Sequence, residues 1–339
     1  MTALILAAAL SPAFAGYGDV VAGYPNANER ALHLWTNAAR VAPAEFEAYY
    51  DCSMDVWQDY EKVAQTPISM DYDLVEAARF HSDDMKSNNH FAHESSDGTS
   101  FADRMARFYA SGFVGENIAA GYPDEFDAVF GGWMCSDGHR ANIMLPEWVE
   151  LGTGVVGTYY TQDFGGGEAD TTAPVVMGTH WPIGALASAE LLADWHDAEP
   201  PARMLVIVDG RAEPMSLEHG AADMGIYMAE VDHDDAGCHT YFFAWETAAG
   251  DQGTFPEDGS YLYGEGCADA YDEAAAADGW VTGQAGEWGD GVAEGDGSGG
   301  GDIDLDDIAL VGCAVAPAPL TGGLALLGLG LVAARRREG

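Results

Sequence analysis

Positive charge is what this 339-residue chain has least of: 13 Lys and Arg stand against 56 Asp and Glu, a formal net charge of -43. No Lys or Arg occurs between Arg211 and Arg335. A protein that grips nucleic acid or an anionic bilayer needs a basic face to neutralise phosphates, so neither is expected as a partner of the folded body. Long apolar runs are lacking too. The stretch from Leu320 to Ala334 falls short of the ~20 residues that cross a bilayer comfortably. Cysteine is sparse, with five in all. Wholesale disorder is excluded as well, because 48% of the residues are apolar, enough at this length for real cores.

The two ends carry transport signals. "LILAAALSPAFA" (4–15) is a short apolar run closing on Ala13-Phe14-Ala15, which reads as a secretory signal over residues 1–15, cleaved before Gly16, though without a basic start. At the other end Cys313, a Pro-broken spacer, the apolar stretch and Arg335-Arg336-Arg337 follow one another. That order resembles the myxobacterial C-terminal sorting tail, which makes residues 313–339 an anchor and Cys313 its sorting residue; a plain transmembrane tail anchor is the alternative. The expected location is therefore secreted, at the outer surface or cell envelope, with membrane contact only through the tail.

Export permits disulfides. The runs "CHTYFFAWE" and "GSYLYGEGC" flank a turn-rich segment, and a hairpin centred there sets Cys238 opposite Cys267. Cys52 and Cys135 pair by elimination. Residues 16–170 mix helical periods with Gly-rich strand-like text. Residues 171–267 hold short aromatic and β-branched runs between Gly, Pro and Asp turns, the spacing of a small all-β sandwich. His180, His196, His219, His233 and His239 are scattered through that part without ligand spacing and read as packing or surface residues. Residues 268–312, rich in Ala, Gly and acids, read as a disordered linker, whose "DIDLDD" lacks the Gly and Glu of a calcium loop.

The informative text lies in the first part. "NERALHLWTNAARVAPAEF" has helical spacing and stops before Pro43. "DYDLVEAARFHSDDM" places Leu74, Ala77, Ala78, His81 and Met85 on one helix face, so His81 reads as a packed histidine more readily than as a pocket residue. Then come "HFAHESSDG", "GENIAAGY", "WMCSDGHRANIM" and a Gly-rich strand "ELGTGVVGTYYTQDFG". In this order these motifs resemble the CAP superfamily (the SCP/PR-1-like domain) in its bacterial form, over about residues 27–165.

The resemblance implies an α/β fold, an α/β/α sandwich with a cleft in which two His and two Glu converge. Carried over, these are His93, Glu116 and His139; the second Glu would fall three residues after Trp133, where this chain has Ser136. Phe91 and Tyr122 are expected as walls of the site, and Trp133 and Trp148 as core. Two imidazoles and a carboxylate can hold Zn²⁺ with an open position for water, which makes His93 and His139 candidate metal ligands, with Zn²⁺ or another divalent cation as the implied cofactor. The leading expectation is a binding module whose cleft takes a lipid or sterol, a peptide, a cell-surface ligand or a divalent metal. The alternative is a metal-assisted hydrolase, a peptidase or esterase, with Glu116 as base; a serine mechanism through Ser136 lacks a nucleophile elbow.

Overall fold

The computed structural model describes residues 16–184, 188–233, 237–267 and 271–272. The leader, nearly all of the linker, Cys313 and the C-terminal tail lie outside the described residues. No helix among those described is long and apolar enough to cross a membrane.

The first helix, α1 (Ala27–Val41), starts at a capping box in which Asn26 and Glu29 exchange side-chain and backbone hydrogen bonds. It ends before Pro43, and its residues from Glu29 onward are all buried, so it lies between two layers. Helix α2 (Tyr72–Asn88) is capped by Asp71, and Leu74, Ala77, Ala78, His81 and Met85 are buried on it as the periodicity predicts. Two short helices follow, α3 (Phe101–Met105) and α4 (Asp137–Ile143). Before Trp133 a π-helical stretch, Asp127–Gly132, leads into a 3-10 turn, Trp133–Cys135.

Between the helices lies a four-stranded sheet in the order β1 (Ser69–Met70), β3 (Glu150–Val156), β4 (Tyr159–Gly165), β2 (Val114–Ala120). The text read as one Gly-rich strand is a hairpin: β3 and β4 pair antiparallel around a turn in which Gly157 takes φ 65°. The two faces of the sheet take one helix each. Thr153 Oγ1 donates to the Glu29 carbonyl and Gln162 Nε2 to Thr36 Oγ1, which ties one face to α1. On the other face, a Cβ on Gly152 would lie 2.0 Å from the Leu74 carbonyl carbon, and one on Gly154 2.4 Å from that of Ala78. The glycines therefore let α2 lie against the strands backbone to backbone. This is the expected α/β/α arrangement.

The β-rich part follows. One sheet has the order β5 (Gly178–Trp181), β6 (Ser188–His196), β10 (Met224–Asp232), β9 (Ser216–Ala221). The other runs β14 (Tyr271–Asp272), β13 (Ser260–Tyr263), β11 (His239–Glu246), β7 (Arg203–Val208), β8 (Arg211–Pro214), with β12 (Gln252–Phe255) pairing β11. Since β14 pairs β13, the folded body reaches residue 272, past the expected start of the linker at 268. Both disulfides form as expected, Cys52–Cys135 and Cys238–Cys267. The first is separated by 83 residues, a closure that restricts the unfolded chain by about 4 kcal/mol.

The boundary expected near residue 170 is one of secondary structure and does not divide the core. Helix α1 packs against β5, β6, β9 and β10 as well as against β3. Trp35 meets Trp181 edge to face at 5.5 Å between ring centroids, and Asn37 Nδ2 donates to buried Asp194 at 2.7 Å. One apolar cluster runs from Leu32 through Phe164 to Trp195 and Phe243.

Candidate functional site

The site forms where strand β2, at the edge of the first sheet, meets α4 and the loop between α2 and α3. Glu116 sits on the β2 face that looks toward α2, with its side chain 1% exposed. An isolated carboxylate at that depth would be severely penalised, and two side chains meet it. His93 Nδ1 donates to Glu116 Oε1 at 2.7 Å, and Arg104 from α3 hydrogen-bonds Glu116 Oε2. Arg104 also donates to the His93 carbonyl at 2.8 Å and to Ser95 Oγ at 3.3 Å, so one guanidinium fixes both the loop and the carboxylate. His81 is fully buried beneath, its Nε2 bonded to the Ala92 carbonyl at 3.0 Å and 3.9 Å from Glu116 Oε2. It is the packed histidine the sequence suggested, placed in the floor of the site.

His139 reaches the same place from α4. Its carbonyl accepts from Asn117 Nδ2 at 3.1 Å, while Asn142 Nδ2 donates to the Glu116 carbonyl and to Asn117 Oδ1, so the first turns of α4 are sewn to β2. The two imidazoles titrate in opposite directions. The hydrogen bond to Glu116 raises the pKa of His93, against a smaller cost of burial. Partial burial, with the nearby His93 adding to it, lowers that of His139. His93 is half exposed, and the His139 ring makes no hydrogen bond among the described residues.

Two groups were missed by sequence reasoning. Arg104 could have been suspected as one of only 13 cations in the chain, on a helix whose next residue, Met105, is buried. Asp163 is the other. It lies on β4 directly opposite Glu116, fully buried, and neither of its oxygens has a hydrogen-bond donor among the described residues. Burial and the facing Glu116 carboxylate drive its pKa well above the ordinary value, with Arg104 opposing. The two facing carboxyl groups can offer each other a hydrogen bond only when one of them is protonated. Its signal was an acid, one residue past Gln162, within a strand that is otherwise uncharged.

Ser136 heads α4, but its hydroxyl neither caps the helix nor bonds His139 among the described residues. Phe91 is 55% exposed just before the Ala92–His93 segment, whereas the Tyr122 ring lies against Gly132. Trp133 and Trp148 are buried, their indole N–H groups satisfied by the Ile118 and Asn142 carbonyls.

Residues 35–166 match the family model described as the cysteine-rich secretory protein family, CAP. This segment is similar to a CAP domain. Curated relatives agree: an uncharacterized protein, YkwD, of Bacillus subtilis is 37% identical over 135 residues, 38% of this chain and 51% of the relative. An uncharacterized membrane protein of the same organism, YlbC, is 41% identical over 98 residues, 29% of this chain and 28% of the relative. The chain thus spans about half the length of the first and under a third of the second. A solved extracellular SCP-domain protein from Bacillus anthracis is 38% identical, with 30% of this chain and 34% of that one covered and a TM-score of 0.29.

The groups of this CAP-like domain fit a zinc ion poorly. Both Glu116 oxygens and His93 Nδ1 are already engaged. His93, Glu116 and His139 are also not among the sets of described residues whose ligand atoms all lie within 4.8 Å of one another.

Proposed function

We propose that the chain is an extracellular binding protein whose CAP domain takes the amide or acyl carbonyl of a ligand between His93 and His139. The observation that carries this reading is the placement of the two rings: His93 is held through Nδ1 by Glu116 and is half exposed, and the His139 ring makes no hydrogen bond among the described residues. His93 thus keeps Nε2 for a ligand and His139 keeps its ring nitrogens, so one ring can donate while the other accepts. An amide presents one acceptor and one donor and so matches both. A net charge of -43 repels free anions, which favours a peptide over a fatty-acid carboxylate. The extracellular location draws support from the apolar leader, the two disulfides and a relative described as extracellular. Anchoring at the cell surface through Cys313 and the tail is part of the same proposal.

The metal-assisted hydrolase has less support, because the base it requires, Glu116, is saturated by His93 and Arg104. The test is an NMR titration of the imidazole resonances of the full chain with a blocked tetra-alanine amide and, separately, with palmitate. The peptide should perturb His93 and His139 and lose its effect in the His93→Ala/His139→Ala variant. A response to palmitate alone would replace the peptide by an acyl ligand. No response to either, or turnover in a peptidase and esterase screen, would overturn the binding role.

A further inference from the structure

The β-rich part brings together three residues that the sequence leaves unconnected. Asp209 follows β7, His239 opens β11, and His233 follows β10 of the opposite sheet. Each offers a ligand atom, and these atoms all lie within 4.8 Å of one another. We propose that Asp209, His233 and His239 bind a divalent transition cation of the Zn²⁺ class, which clips the two sheets together at this end.

An ordinary ion pair would need only Asp209 and His239, which meet at 2.7 Å between Oδ2 and Nδ1. The His233 ring lies beside that pair, parallel to His239, 8° between planes and 3.5 Å between centroids. Two imidazoles and a carboxylate this close are a donor set that a transition cation of this class takes. The supports are also in place. Thr240 donates from its backbone N–H to Asp209 Oδ1 at 2.9 Å and from its hydroxyl to the same oxygen at 3.3 Å, which leaves Oδ2 toward the histidines. The Tyr263 hydroxyl, opposite His239 in the β11–β13 register, hydrogen-bonds His233 Nε2. The Cys238–Cys267 disulfide holds the residue beside His239. Outer contacts of this kind fix ligand orientation in metal sites. The imidazole-rich donor set selects against Ca²⁺ and Mg²⁺, which take oxygen ligands.

The test is Zn²⁺ titration of the full, chelator-treated chain by calorimetry, with Co²⁺ absorption as a spectroscopic check. One equivalent should bind, and affinity should fall at least about 100-fold in His233→Ala and in His239→Ala, beyond what loss of a supporting group alone costs. Asp209→Asn, which keeps the Thr240 acceptor, should weaken Zn²⁺ binding while metal-free melting falls only by what the loss of its ion pair with His239 costs, separating ligation from folding. The His93→Ala/His139→Ala variant should retain the full equivalent. No stoichiometric Zn²⁺ in the folded wild type would overturn the proposal. So would retention by His233→Ala/His239→Ala, or loss confined to His93→Ala/His139→Ala.

Discussion

The groups of the site divide into two kinds that sequence reading treats unequally. His93, Glu116 and His139 sit in motifs whose order is recognisable, and their residue types advertise chemistry. Asp163 sits in text read only as a Gly-rich strand, and its importance arises from register, which places it against Glu116. Its effect on stability has a definite sign. Because the folded state raises its pKa, Asp163 costs nothing below the pKa of the unfolded chain, near 4, and lowers stability as pH rises through its folded value. Asp163→Asn removes that dependence. Relative to wild type, the variant is expected to gain roughly 1 to 3 kcal/mol between pH 4 and pH 8, read from urea unfolding across that range. An unchanged difference at the two ends would mean that Asp163 is ionised in the native protein.

Among the elements, α1 and α2 were legible because their apolar period is long and their caps are written plainly in Asn26 and Asp71. The π-helical stretch before Trp133 was not, since a wider turn leaves the same apolar residues buried and differs only in which backbone groups pair. The β3–β4 hairpin was missed for a related reason: Gly152, Gly154 and Gly157 all read as strand glycines, although one makes the turn and two make room for α2. The difference is testable at Gly154, whose new Cβ would press on the Ala78 and Arg79 backbone with no flexible atom to yield. Gly154→Ala should cost about 3 kcal/mol, measured by urea denaturation. Because α2 carries His81 into the floor of the site, the same variant should also shift the His93 imidazole resonance. A loss under 1 kcal/mol with an unmoved resonance would show that the helix is free to slide.

For the whole molecule, the boundary read at residue 170 marked a true change of texture and missed a shared core. Composition records which segments favour strands; it does not record that α1, which carries polar residues such as Arg30, His33, Asn37 and Arg40, is buried on more than one side. Every residue of α1 from Glu29 onward is buried, against the first sheet on one side and β5, β6, β9 and β10 on the other. Removing residues 171–272 would bare Trp35, leave the Asn37 amide without Asp194, and expose apolar area at about 25 cal/mol per Å². A chain cut to residues 16–170 is therefore expected to lose cooperative unfolding and near-UV circular dichroism and to bind a hydrophobic dye, as a loosely packed state does. The full chain should unfold in one transition. If the shortened chain melts cooperatively with native near-UV signal, the CAP-like domain is a self-sufficient unit and the contacts of α1 with the β-rich part are incidental to its fold.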